Sequence, residues 1–105
     1  MSHMKIAIAS EEKGLDARMD SRFGRCAYFA IYDGDNKSTE FFPNPAKDSP
    51  EGAGPEAVKF IASKGVKRVV ASEFGRKAEA MLNKLQIEMV QDKDKTISEI
   101  IKELE

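Results

Sequence analysis

Two short apolar runs set the architecture this chain can adopt. Lys5-Ile6-Ala7-Ile8-Ala9 and Val69-Val70-Ala71 are nearly continuous in apolar character and too brief for buried helices. Such runs read as strands buried on both faces, which need cover above and below their sheet. The covering helices are visible in the pattern. Pro55 suits a first helical position, Ala57, Val58, Phe60, Ile61 and Ala62 make one apolar face, and Gly65 ends the segment. A second helix is expected from about Arg76 to Leu85, with Ala78, Met81, Leu82 and Leu85 at helical spacing. Thr96 and Glu99 form a capping box ahead of a third, in which Ile97, Ile100, Ile101 and Leu104 share a face.

The remaining segments complete a sheet. Ala27–Tyr32 is aromatic and strand-like, Asp33-Gly34-Asp35-Asn36 signals a turn, and Ser38–Phe42 follows as its hairpin partner. Arg68–Ser72 and Ile87–Val90 read as two further strands, parallel to one another because a helix separates them. Ser10–Arg22 reads as a polar loop, and Pro43–Glu51 as a proline-punctuated connection without core pattern. The expected order is βββαβαβα. It describes an α/β fold with one mixed five-stranded sheet and helices on both faces.

A chain of 105 residues suits one domain. Ser2-His3-Met4 reads as the remnant of a cleaved expression tag, so residues 1–3 are set apart and the domain is expected over 4–105. Without His3 the chain has no histidine, which excludes Ser-His and Cys-His nucleophile pairs, a histidine base and histidine zinc sites. The 17 Lys and Arg nearly balance 18 Asp and Glu, so bulk neutralisation of nucleic-acid phosphate is not expected. No apolar run reaches membrane-spanning length and no leader pattern opens the chain, so a cytoplasmic protein is expected. The one cysteine, Cys26, fits a reducing compartment and excludes all-cysteine metal cages within one chain. A monomer is expected, although the third strand offers an exposed edge.

Three segments carry candidate chemistry. In Arg22-Phe23-Gly24-Arg25-Cys26, Gly24 permits close approach to the backbone and the two arginines flank the thiol with positive charge, which favours a thiolate metal ligand. The alternative is that Cys26 is a small buried apolar residue at a strand start. Gly52-Ala53-Gly54 leads into a helix whose free N–H groups and positive dipole end suit an anion, the alternative being a flexible loop before an ordinary helix. Gly52–Ala57 also spells G-x-G-x-x-A, but the proline-rich stretch before it displaces it from any strand, so a dinucleotide site is rejected. Glu73-Phe74-Gly75-Arg76 joins a parallel strand to a helix, where α/β sheets bind ligands, and a plain turn is the simpler reading. Asp16, Arg18, Met19, Asp20 and Arg22 crowd the first loop, a pattern usual for a solvated surface, and Met19 reads as packing before thioether ligand. Lys93, Lys95 and Lys102 read as a solvated helix flank.

Met4-Lys5-Ile6-Ala7-Ile8-Ala9-Ser10, Arg22-Phe23-Gly24-Arg25 before an aromatic strand, Asn44-Pro45, Gly52-Ala53-Gly54 before a helix and Gly65-Val66 into a Val-Val strand occur in one order. Together they resemble the dinitrogenase iron–molybdenum cofactor biosynthesis family, which includes the carriers NifX and NafY and the C-terminal domain of NifB. The resemblance implies a ribonuclease H-like three-layer fold with the second strand antiparallel to the rest, and no nuclease activity. It implies a non-enzymatic carrier or scaffold for an iron–sulfur or iron–molybdenum type cluster, exchanging that cargo with donor and acceptor proteins. Arg22, Gly24, Arg25, Gly52 and Gly54 are the positions expected to hold the cargo, and Cys26 the position expected to ligate metal. Many relatives carry histidine where this chain has Arg22 and Pro50-Glu51, which leaves Cys26 as the strong ligand. The same fold without metal would serve as a regulatory or protein-interaction module.

Overall fold

A three-stranded meander opens the chain: β1 (Lys5–Ser10), β2 (Tyr28–Asp33) and β3 (Ser38–Pro43). Asp33 shapes the hairpin turn by accepting the Asp35 N–H at 2.9 Å, and Lys37 closes it with φ of 53°. There follow α1 (Ala53–Ser63), β4 (Val66–Ala71), α2 (Arg76–Lys84), β5 (Glu88–Gln91) and α3 (Ile97–Leu104). This computed structural model describes residues 4–104, so the tag remnant read at 1–3 lies outside the described residues.

The strands form one sheet in the order β3-β2-β1-β4-β5. The β1–β2 and β2–β3 pairs are antiparallel, and the β1–β4 and β4–β5 pairs are parallel, so β2 runs against the other four. Side-chain alternation on the central strands divides the core in two. Ala7, Ala9, Val69 and Ala71 point to a face covered by α1 and α2, through Ala57, Val58, Ile61, Ala78 and Leu82. Ile6, Ile8 and Val70 point to the opposite face, covered by Ile97 and Ile100 of α3. Alanines under two helices and isoleucines under one let both layers close on a single sheet.

Loops contribute more core than their composition promises. Met19 is buried against the α3 face, so it packs and is no exposed thioether. Ala46, from the connection read as lacking core pattern, is fully buried on the other face. The first helix starts at Ala53, earlier than the expected Pro55, because Gly52 turns the chain at φ of 69° and Pro55 is tolerated inside the first turn, where an N–H has no partner. The fourth strand likewise begins at Val66. On the helix flank, the Lys95 ammonium bridges Asp92 at 3.0 Å and Glu103 at 2.7 Å.

The capping box forms as read: the Thr96 N–H donates to Glu99 Oε1 at 2.8 Å, and the Glu99 N–H donates to Thr96 Oγ1 at 3.3 Å. Thr96→Ala is therefore expected to cost about 1 kcal/mol, measured as a lowered urea midpoint with unchanged slope.

Candidate functional site

Strand connections diverge between β1 and β4: β1 leads toward β2 on one side, and β4 leads through α2 to β5 on the other. Such a switch point leaves a crevice beyond the carboxyl ends of the strands. Here it is a cleft of about 450 Å³. Three segments wall it: the strap at 22–25, the start of α1 at 52–55, and the β4–α2 turn with the first turn of α2 at 73–78.

Backbone hydrogen bonds fix the strap to the β4–α2 turn. The Ser72 and Glu73 N–H groups donate to Ser21 O at 3.0 and 2.7 Å, and the Phe23 N–H donates to Glu73 O at 3.1 Å. Phe23 is buried with its ring between Phe29 and Phe74, at centroid distances of 5.5 and 5.4 Å, and anchors the strap from below. The other side of the strap meets α1. A Cβ on Gly24 would lie 3.0 Å from the backbone N of Gly54, so glycine is the residue that permits this approach. A Cβ on Gly54 would in turn lie 3.1 Å from the Ala78 Cβ, which brings the starts of α1 and α2 together.

Neither helix start has a side-chain cap. The first intrahelical bonds at these ends run from the Glu56 N–H to Gly52 O and from the Glu79 N–H to Gly75 O. The earlier N–H groups therefore remain donors at the cleft, with both positive dipole ends. Around them stand four cationic side chains, Arg22, Arg25, Arg76 and Lys77, and one carboxylate, Glu73. Arg25 is partly committed, donating from Nη1 to Lys47 O at 3.0 Å and Ser49 O at 2.5 Å. Arg22 lies loosely against Asp20 at 3.5 Å with its side chain 60% exposed. Arg76 and Lys77 have no side-chain partner among the described residues. The arrangement is suited to holding an anion by charge and hydrogen bonding.

Arg22, Gly24, Arg25, Gly52 and Gly54, nominated from sequence, thus converge on one cleft. Cys26 requires a correction. It has no exposed surface and belongs to the core cluster beneath α1 and α2. Its Sγ donates to Phe23 O at 3.4 Å. Burial, with the Asp20 carboxylate adding to it, pushes the thiol up to about 12, so the thiolate expected from the flanking arginines does not form at neutral pH. The reason is direction: the backbone turns the Cys26 side chain under the strap while Arg25 points outward. Among the described residues no three His, Cys, Asp or Glu side chains meet to hold a metal ion. Glu73, Gly75, Arg76 and Lys77 also line the cleft, although the plain turn and helix start is the simpler reading of their sequence. Two cations at a helix N-terminus, where the dipole disfavours them, were the available signal.

The thiol makes a pH prediction. In the folded protein Cys26 keeps its proton well above the ordinary 9.0, at which the unfolded chain loses it. The folded state then binds the extra proton, so this contribution is complete below pH 9 and is lost as pH rises toward 12, at up to about 1.4 kcal/mol per pH unit. Urea unfolding of the wild type and Cys26→Ala across that window should show this slope as the difference between them.

The chain matches the model of the dinitrogenase iron-molybdenum cofactor family over residues 4–105. It is 30% identical over 102 residues to the uncharacterized protein MJ0580 of Methanocaldococcus jannaschii, covering 94% of this chain and 83% of that one. Its fold is similar to the apo form of the orange protein of Desulfovibrio gigas, with TM-score 0.91 and 31% identity, over 99% of this chain and 89% of that chain. A Thermotoga protein provisionally assigned to NifB and placed in the DUF35 family matches with TM-score 0.85 and 32% identity, over 97% and 87% of the two chains. No helix among the described residues is long and apolar enough to cross a membrane.

Proposed function

The chain belongs to the dinitrogenase iron–molybdenum cofactor family, and we propose that it is a non-enzymatic carrier or scaffold for an anionic metal–sulfide cluster of iron–sulfur or iron–molybdenum type during cofactor assembly. The observation that carries this reading is the convergence on one cleft of two uncapped helix starts with Arg76 and Lys77, which have no side-chain partner among the described residues. Sulfide-rich clusters spread negative charge over their surface and accept hydrogen bonds there, which such a cleft can offer without a metal–protein bond. Arg22, Gly24, Arg25, Gly52 and Gly54 form the seat together with Arg76 and Lys77, and Cys26 lies behind it. Weak, ligand-free holding suits a carrier that must release its cargo to an acceptor protein. We keep a monomer working in the cytoplasm as part of this reading, and the sheet order β3-β2-β1-β4-β5 supports the ribonuclease H-like label. Fold alone brings no nuclease function with it.

The test is anaerobic titration with a synthetic thiolate-capped iron–sulfide cluster and with isolated iron–molybdenum cofactor, followed by absorbance and bound iron after desalting. Uptake by the wild type and equally by Cys26→Ala is the expected result. Failure of the wild type to retain either cluster would leave the metal-free interaction module.

A further inference from the structure

We infer that Asn44 is the residue that positions the cluster seat, by clamping the strap to the loop that grips Arg25. This rests on the carrier reading and adds a role for a residue that does not itself line the cleft. Asn44 follows β3 and is one of three buried polar or charged residues among those described, 6% exposed. Its Nδ2 donates to Gly24 O and to Cys26 O, each at 3.0 Å, so both amide hydrogens are spent on the strap and the residue that ends it. Its Oδ1 accepts the Ala46 N–H at 2.9 Å, and its own carbonyl accepts the Lys47 N–H at 3.2 Å. Its N–H donates to Ala27 O at 3.0 Å. The amide orientation follows from this set, since reversing it would put an oxygen against two carbonyls and a donor against an N–H.

Both ends of the clamp reach the cleft. On one side, the Gly24 carbonyl it holds belongs to the residue in closest approach to Gly54 at the start of α1. On the other, the loop it folds presents Lys47 O and Ser49 O to Arg25, and the Ser49 hydroxyl donates to Glu56 Oε1 of α1 at 2.5 Å. Aspartate is nearly isosteric with asparagine but has no hydrogens for the two strap carbonyls, and its charge would face both. Asn44→Asp therefore releases the strap. Cys26, directly beneath, reports that release: its thiol is sealed in the intact protein and becomes reachable when the strap lifts.

Three readouts test this on the full chain: affinity for the synthetic thiolate-capped iron–sulfide cluster, the rate of Cys26 alkylation by iodoacetamide, and the amide NMR shifts of Gly24 and Gly54. Ile100→Val, on the α3 face, serves as a destabilised control. Asn44→Asp should alkylate at least tenfold faster than the control, bind the cluster at least tenfold more weakly, and shift both glycine amides. Asn44→Ser, which keeps a hydroxyl for the Ala46 N–H, should show the same changes and stands in if the aspartate variant does not fold. Alkylation and affinity equal to the control's would overturn the inference. If the wild type binds no cluster, the carrier reading fails, and alkylation with the glycine shifts still decides whether Asn44 sets the strap.

Discussion

Arg76→Glu/Lys77→Glu is expected to weaken cluster binding by at least about 100-fold while making the protein more stable. The two effects point in opposite directions because they come from one electrostatic feature. Arg76 and Lys77 begin α2, where the helix dipole presents its positive end, and neither has a side-chain partner among the described residues. Cations there raise the energy of the folded chain, whereas acidic residues lower it by about 0.3–1 kcal/mol each. The double reversal should therefore raise Tm by a few degrees, at ~4–8 °C per kcal/mol for a domain of this size. The cleft, by contrast, changes by four charge units. One unit acting on one cargo charge ~5 Å away is worth roughly 0.8 kcal/mol even at the dielectric of water. Four such units amount to about 3 kcal/mol, or more than 100-fold. Calorimetric melting and anaerobic cluster titration, run at low and high salt, measure the two halves. Wild-type affinity should fall with salt and the residual affinity of the variant should not. A variant that melts higher but binds normally would place the cargo elsewhere.

That misplaced charge also shows what the sequence could and could not disclose. The sheet and its cover were legible because they rest on local periodicity: Ile6 and Ile8 against Ala7 and Ala9, and Ala78 with Leu82. The α3 start was legible because its cap, Thr96 with Glu99, is built from near neighbours. The site was legible where it depends on glycine, since Gly24 and Gly54 mark backbones that approach closely. It was not legible where it depends on long-range closure. Asn44 lies in a connection without pattern, and its partners Gly24 and Cys26 come from a different strand connection. Lys77 gains meaning only when the start of α2 is set beside the start of α1. Cys26 misled because proximity to arginines in sequence says nothing of which side of the strap a side chain takes. A thiol that needs a thiolate must face water or cations, and this one faces Phe23 O and the core.

Two glycines at the seat are expected to respond to substitution in different ways, because each is glycine for a different reason. At Gly24 the reason is contact: an added Cβ would meet Gly54 N at 3.0 Å, Gly54 Cα at 3.2 Å and the Ala53 carbonyl carbon at 3.3 Å. These are backbone atoms at a helix start and cannot rotate aside. Gly24→Val adds two further carbons, so either the strap lifts or α1 moves away, at a cost of about 1–3 kcal/mol. Both movements pull apart the N–H groups and cations that converge on the cleft, and cluster affinity should fall at least about tenfold, by the general sensitivity of a preorganised site to displacements near 1 Å. At Gly52 the reason is conformation: φ is 69°, and nothing lies within 4 Å of the position a Cβ would take. Gly52→Ala should lose about 1–2 kcal/mol of stability through the left-handed backbone while leaving the seat's shape intact. The two variants thus resemble each other in a urea melt and separate in the titration, with Gly24→Val losing far more affinity than Gly52→Ala. Equal affinity for the two would mean that the strap's contact with α1 does not form the seat, and the convergence of the two helix starts would lose its functional meaning.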